Sequence, residues 1–117
     1  MRALGDVFER RACAELERAG LKLLERSYTT RFGEIDLVMC DGDTIVFVEV
    51  RYRKHAAHGS AAESVTASKR LKLIKAAQLW LAAHTEKSHS SCRFDVITYD
   101  GPPGDTRTSW LRGAFET

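Results

Sequence analysis

Apolar residues recur at two different spacings along this chain, and each spacing predicts one type of secondary structure. Near the start they fall about four residues apart, which predicts an amphipathic helix over residues 5–19. A similar spacing predicts a second helix over residues 67–84. The expected buried stripes are Leu4, Phe8, Ala12 and Leu16 with Val7 and Ala19 in the first helix, and Leu71, Leu73, Ile74, Ala77, Trp80 and Leu81 in the second.

Runs of apolar and β-branched residues outside these helices predict the strands of a sheet. We expect strands at 21–30, 33–38, 46–51 and 92–99, with a short closing strand at 108–115. A polar loop is expected from Arg53 to Thr66. The order helix, three strands, helix, strand predicts an α/β fold with a central mixed β-sheet flanked by helices.

The segment Asp41-Gly42-Asp43 separates the second and third strands, and Asp-Gly is a strong signal for a hairpin turn. With a two-residue loop, even-numbered positions of the second strand lie opposite odd-numbered positions of the third. Asp36 and Glu49 would then share one face of the sheet. The same face would carry Glu34, Phe47 and Arg51. A three-residue loop would instead place Asp36 and Glu49 on opposite faces.

Asp36 and Glu49 are carboxylates within otherwise apolar strands. Because desolvating a lone carboxylate is costly, each needs a partner, a metal ion or a chemical role. Two carboxylates on one face suit Mg²⁺, which binds oxygen ligands, polarises phosphoryl oxygens and generates a hydroxide nucleophile. The alternative is a structural ion pair between Glu49 and Arg51, with Asp36 bonded across the strands.

Two further acids in the predicted strands have less definite assignments. Glu34 shares the predicted face with Asp36, and we expect it to pair with Arg31 or Arg51. Asp95 faces opposite to Phe94 and Val96 in the fourth strand, because neighbouring side chains of a strand alternate. It is either a further acid near the site or a charge on an edge strand.

Composition and charge narrow the class of protein. The chain has 117 residues, which predicts a single domain covering residues 1–117. The net charge is only +2, but the segment from Arg51 to Lys75 has seven basic residues and a single acid, Glu63. This excess predicts a positive surface suited to nucleic acid, with Arg53, Lys69 and Lys72 as candidate phosphate contacts.

The cellular compartment is also predicted from the sequence. Neither a signal peptide nor a long apolar stretch is present, so we expect no secretion and no membrane insertion. The three cysteines are scattered, without a Cys-x-x-Cys motif, which is typical of reduced thiols. We therefore expect a cytoplasmic protein.

Two short motifs resemble those of a known family. Residues 33–37 read Gly-Glu-Ile-Asp-Leu, and residues 46–53 read Val-Phe-Val-Glu-Val-Arg-Tyr-Arg. Together they resemble the YraN family of small bacterial proteins, which is similar to Holliday junction resolvases of the restriction-endonuclease-like PD-(D/E)XK superfamily. The resemblance extends nearly end to end through Gly5, Glu9, Gly59, Val65, Lys69, residues 94–97 and Ala114-Phe115.

This resemblance implies a restriction-endonuclease-like fold and a possible chemistry. The protein would be a metal-dependent endonuclease that hydrolyses phosphodiester bonds in structured or branched DNA. Asp36 and Glu49 would bind Mg²⁺ or Mn²⁺, as one ion or two. Glu9 and Arg51 would complete the catalytic set. A homodimer would present two sites to a two-stranded substrate.

Arg51 departs from the superfamily pattern, which has Lys two residues after the Glu. A guanidinium stays protonated and cannot act as a base, although it can hold a phosphate or stabilise transition-state charge. Whether the chain is an enzyme is therefore open at this point. The alternatives are a non-catalytic nucleic-acid-binding domain that retains the fold, and a protein-interaction module in DNA repair or uptake.

Overall fold

The computed structural model describes residues 3–55 and 62–116, so Gly59 of the motif set lies outside it. Within these ranges the chain forms two helices, α1 at Ala3–Arg18 and α2 at Ala67–Ala83. The strands are β1 (Lys22–Thr30), β2 (Gly33–Asp41), β3 (Thr44–Arg53), β4 (Cys92–Asp100) and β5 (Arg107–Phe115). The predicted α/β fold is confirmed, and the expected closing segment is a full strand, β5.

The strands form one mixed sheet in the order β1-β2-β3-β4-β5. β1, β2 and β3 run antiparallel to one another, β3 and β4 are parallel, and β4 and β5 are antiparallel. Because parallel neighbours cannot be joined by a tight turn, the chain crosses from β3 to β4 through α2. In the strand order, β3 lies at the centre of the sheet.

The two helices cover opposite faces of this sheet, so the central strands are buried on both sides. On one face α1 contributes Phe8, Ala12, Cys13 and Leu16, which pack with Leu37, Met39, Val46, Val48, Ile97 and Tyr99. On the other face α2 contributes Leu73, Ala76, Ala77 and Trp80, which pack with Ile35, Val38, Ile45, Phe47, Phe94 and Val96. This double coverage explains why β3 reads as a nearly continuous apolar run.

Four residues that were predicted to be buried in the helical stripes are exposed, so this part of the prediction is wrong. Leu4 and Val7 of α1 and Leu71 of α2 are exposed, at 45%, 56% and 56% of their surface, and Ala19 is exposed after the end of α1. Leu4 lies on the same side as Phe8 but one turn before the part of α1 that covers the sheet. Leu71 lies about 200° around α2 from the buried Leu73, because successive residues of a helix turn by about 100°.

The loop between β2 and β3 has two residues, which settles the register left open by the sequence. Asp41 pairs with Thr44 and Leu37 pairs with Val48, so paired numbers add to an odd total. Gly42 has φ 60°, the conformation that glycine supplies at the first central position of a hairpin turn. The register brings Asp36 and Glu49 to the same level of neighbouring strands.

The alternation of side chains along β2 is interrupted at Asp36. Leu37 packs on the α1 side of the sheet, whereas Val38 and Ile35 both pack on the α2 side. In β1 the matching position is Ser27, which has φ 53° and lies between the paired residues Arg26 and Tyr28. The local twist therefore turns the Asp36 side chain away from the regular pattern.

Candidate metal and catalytic site

A cleft of about 450 Å³ opens where β2 and β3 separate. The described ladder between these strands ends at the pair Leu37 and Val48, so the residues beyond this pair can diverge. The cleft is bounded by Glu9 from α1, Glu34 and Asp36 from β2, Glu49 and Arg51 from β3, and Lys69 from α2. Four of these side chains are acids and two are cations, drawn from four separate elements.

Asp36 is held in place by the backbone of the neighbouring strand. Its Oδ2 accepts a hydrogen bond of 2.8 Å from the Val50 backbone N–H. The Asp36 carboxylate thus accepts a hydrogen bond from the backbone of β3, at a position beyond the last described backbone pair between β2 and β3. This bond fixes the position of the Asp36 carboxylate at the cleft.

Glu9, Glu34 and Asp36 form a cluster of carboxylates. One oxygen from each lies within 4.8 Å of the other two. Glu9 and Asp36 are buried, at 3% and 8% exposure, and Glu34 is half-buried. Glu34, which the sequence analysis expects to pair with Arg31 or Arg51, thus also lies among these acids, and its pairing with an arginine stays a prediction.

Burial raises the pKa of Asp36 to about 7. The negative charge of Glu49 contributes next to the rise, and Glu34 adds to it, whereas the Val50 N–H opposes it. Glu49 thus lies close enough to Asp36 for its charge to act on this carboxyl, as the hairpin register predicted. The site is a place where negative charge is crowded and poorly solvated.

Glu49 connects the acids to the cations of the cleft. Its Oε2 accepts a hydrogen bond of 3.4 Å from Arg51 Nη1, and Lys69 Nζ lies 3.7 Å from the same oxygen. Glu49 is 5% exposed, whereas the side chains of Arg51 and Lys69 are each about a third exposed. Arg51 and Lys69 thus both contact Glu49 at the cleft.

The two other predicted phosphate contacts have different surroundings. Arg53 donates two hydrogen bonds to Asp100, from Nε at 2.7 Å and from Nη2 at 2.9 Å. This pairing lowers the pKa of the Asp100 carboxyl. Lys72 is exposed on α2. A phosphate contact by Arg53 stays a prediction, but it would compete with a carboxylate that already holds the guanidinium.

Asp95, which the sequence left between two interpretations, has a structural role. Its carboxylate is buried and accepts hydrogen bonds from Arg93, from the Trp110 indole and from the Gly113 backbone N–H. These donors tie β4 to β5 across the sheet. Asp95 is not among the residues that bound the acidic cleft.

The donor set of the cleft fits a hard divalent cation. Its acids offer only carboxylate oxygens, which are the ligands that Mg²⁺ and Mn²⁺ take in proteins. Burial and the neighbouring acids raise the pKa of Asp36, and a nearby divalent charge would oppose this effect. Glu9, Glu34 and Asp36 are the acids whose oxygens lie close enough together to hold such an ion, and Glu49 lies beside Asp36 at the same cleft.

Fold and cleft together define an α/β protein with an acidic site where two strands of a mixed sheet diverge. The chain belongs to uncharacterised protein family UPF0102, whose model matches residues 8–99. The resemblance to YraN-like proteins is confirmed at the level of this family.

Relatives that carry the same family name extend over nearly all of the chain. A UPF0102 protein of Stutzerimonas stutzeri is 53% identical over 113 residues, covering 97% of this chain and 94% of the relative. One from Pseudomonas fluorescens is 50% identical over 110 residues, covering 93% and 89%. One from Pseudomonas aeruginosa is 48% identical over 114 residues, covering 96% and 91%. These bacterial proteins establish the family without assigning an activity.

Among residues 3–55 and 62–116, neither helix is long and apolar enough to cross a bilayer.

Proposed function

We propose that this protein is a metal-dependent endonuclease that hydrolyses phosphodiester bonds in structured or branched DNA. The observation that carries the proposal is the meeting of Asp36 and Glu49 from adjacent strands at a cleft that also contains Glu9 and Glu34. Acids from separate elements, buried together at an open cleft, are costly unless they have a function.

The arrangement agrees with the PD-(D/E)XK pattern at three positions. Asp36 and Glu49 occupy neighbouring strands at one level, and Glu9 approaches them from the first helix. These are the places that the resemblance assigned to the metal ligands and the additional acid. The superfamily placement is part of our proposal, and it rests on this geometry together with the two motifs.

Asp36 and Glu49 would hold Mg²⁺ or Mn²⁺, as one ion or two, with Glu9 and Glu34 available as further oxygen ligands. When bound, such an ion polarises the phosphoryl oxygen and lowers the pKa of a bound water. Below the pKa of Asp36, the proton on its carboxyl competes with the metal. We therefore expect metal affinity to increase as the pH rises through about 7.

Hydrolysis at this site requires simple chemistry from the residues of the chain. The oxygen of a water molecule forms a bond to phosphorus while the bond from phosphorus to the leaving ester oxygen breaks. The water proton passes to solvent, and the leaving oxygen takes a proton from solvent. Arg51, which is permanently charged, can donate N–H groups to the non-bridging oxygens and stabilise the charge that develops on them.

The substrate class follows from the surroundings of the cleft. Lys69 of α2 contacts Glu49 at the cleft, and Lys72 is exposed on the same helix. Both cations would attract a phosphate backbone. A homodimer would bring two clefts to a two-stranded substrate, with symmetry that matches the two strands. We expect DNA, rather than a small phosphate ester, as the substrate.

Cleavage of model DNA junctions in Mg²⁺ or Mn²⁺ tests the proposal. Asp36→Ala and Glu49→Ala should each abolish cleavage, whereas Asp105→Ala, which removes an exposed acid, should leave it intact. Calorimetric titration with Mn²⁺ should show binding by the wild type and much weaker binding by Glu49→Ala. Absence of cleavage on junctions, flaps and duplexes at high enzyme concentration with both metals would overturn the nuclease proposal.

One observation favours a second function, a nucleic-acid-binding protein without catalysis. Arg51 stands where the motif has Lys. Arg51 and Lys69 both contact Glu49, so two cations balance the negative charge of this carboxylate without a metal. This function predicts salt-sensitive DNA binding in the absence of divalent ions. It also predicts that Asp36→Ala leaves that binding unchanged, in contrast to its effect on cleavage.

A further inference from the structure

Lys69 lies in the first turn of α2 and faces the acidic cleft. Thr66 caps this helix, and its side-chain oxygen accepts a hydrogen bond of 3.2 Å from the Lys69 backbone N–H. The Lys69 side chain bounds the cleft, and its Nζ lies 3.7 Å from Glu49 Oε2. The cap therefore fixes the backbone from which the ammonium reaches the site.

A lysine at this place is unfavourable for the helix itself. The first turn of a helix carries partial positive charge, and acidic residues are preferred there. The first turn of α2 contains no acidic residue. It contains Lys69, and Arg70 follows directly. A residue that is unfavourable for its own helix points to a role elsewhere in the protein. The Lys69 side chain bounds the acidic cleft, so its role is expected there.

Position 51 explains what that role is. Arg51 and Lys69 approach the same oxygen of Glu49 from different elements, β3 and α2. The motif lysine is missing from β3, but an ammonium is present at the same carboxylate. We infer that Lys69 is a catalytic residue whose ammonium contacts the phosphate that is cleaved, in the role that the motif assigns to position 51; this inference rests on the proposed nuclease function.

The compact ammonium group suits this role. It carries three donors on a flexible stem, so it can follow a non-bridging phosphate oxygen while the water adds and the ester bond breaks. The Glu49 carboxylate holds it at the cleft before substrate binds. Lys22 of β1 is exposed and does not bound the cleft, which makes it a matched control.

Steady-state cleavage of a DNA junction by three variants tests the inference. Lys69→Gln should lower kcat by about 10²–10³-fold, the usual effect of removing one donor to transition-state charge. Lys22→Gln should change kcat by less than about threefold, as expected for a surface substitution. Adding Arg51→Lys to Lys69→Gln should restore kcat by about tenfold or more, because it returns an amine to the motif position.

The alternatives have different outcomes. If Lys69→Gln raises only KM, Lys69 is a binding contact and the inference is wrong. An active wild type with an equally active Lys69→Gln variant would overturn this inference alone. An inactive wild type would overturn both it and the nuclease function.

A second measurement is independent of cleavage. Because Lys69 pairs with Glu49, its removal should tighten Mn²⁺ binding by about two- to fivefold in calorimetry, the value of a partly exposed ion pair. Lys22→Gln should leave the Mn²⁺ affinity unchanged. Circular dichroism of each variant separates these effects from loss of folding, and equal Mn²⁺ affinity in all three proteins would contradict the contact on which the inference depends.

Discussion

The protonation of Asp36 results from opposing contacts of a single side chain. A hydrogen bond from the Val50 N–H favours the ionised carboxylate. Burial, Glu49 and Glu34 favour the protonated form, and they outweigh the N–H so that the pKa is about 7. The ionised form that metal binding requires is thus destabilised in the metal-free protein.

This shift predicts that the metal-free protein loses stability as the pH rises. The pKa of Asp36 is about 7 in the folded state against 3.8 for an ordinary aspartate. Between these values the folded state holds a proton that the unfolded state has released, so higher pH favours unfolding. We expect the free energy of unfolding to fall by about 2–4 kcal/mol from about pH 4 to about pH 7. Above that range this contribution should be constant.

Urea unfolding in the presence of a chelator, repeated across this pH range, measures the effect. Asp36→Asn should remove most of this fall in the free energy of unfolding, because an amide does not titrate in this range. Its side-chain oxygen can still accept the hydrogen bond from the Val50 N–H, so that contact is kept. Asp105→Asn, at an exposed position, should retain the fall. Saturating Mg²⁺ should stabilise the wild type above pH 7 more than it stabilises Asp36→Asn. Parallel pH curves for the wild type and Asp36→Asn would contradict the assignment.

Asp36 and Asp95 show why the sequence alone could not separate a site from a structural acid. Both follow an apolar residue and precede another within a β-rich run. In the folded chain Asp95 has donors from Arg93, Trp110 and Gly113, whereas Asp36 has other acids beside it. The difference lies in partners that are distant in sequence, so a motif is needed to predict it.

At the level of strands, the hairpin turn determines whether the site exists. Its two-residue loop sets the register that brings Asp36 and Glu49 together, and Gly42 adopts φ 60° within it. The Asp-Gly signal was therefore sufficient to predict the turn, whereas the loop length that decides the shared position is known only from the structure. The fold order was also predictable, because period-four and β-rich segments alternate clearly along the chain.

The turn gives a test that isolates backbone conformation. Gly42→Ala should destabilise the protein by about 1–2 kcal/mol, because an L-residue with a side chain disfavours left-handed φ. Gly104→Ala is the control, since an added Cβ meets nothing within 4 Å at either glycine and only Gly42 has positive φ. Chemical denaturation of the two variants should separate them by at least about 1 kcal/mol. Equal stabilities would mean that the turn tolerates another conformation.

Other features of the elements could not be predicted from spacing. The interruption of alternation at Asp36 depends on Ser27 in the neighbouring strand, which nothing in the β2 sequence indicates. The exposure of Leu4 and Leu71 depends on where each helix meets the sheet. Such properties arise from packing between elements, whereas periodicity reports only the faces of one element.

Across the entire chain, charge is distributed so that an acidic cleft lies beside a basic surface. The net charge is only +2, yet Lys69 and Lys72 from α2 and Arg51 from β3 are near the acids or on the adjacent helix surface. Nucleic acid would be attracted by the basic side and repelled by the acids until a divalent ion neutralises them. DNA affinity and metal occupancy should therefore increase together.

The same distribution predicts which cations contribute to DNA binding. Each phosphate contact adds about 0.9 to the slope of log affinity against log salt concentration. Lys72→Gln, at an exposed position, should reduce the slope by about that amount. Replacing Arg53 and Asp100 together, as Arg53→Gln with Asp100→Asn, should leave the slope unchanged, because the guanidinium is already held by two hydrogen bonds. Fluorescence anisotropy of a labelled duplex without divalent metal measures both slopes. A smaller slope for the double variant would show that Arg53 leaves Asp100 to contact phosphate, as the sequence had predicted.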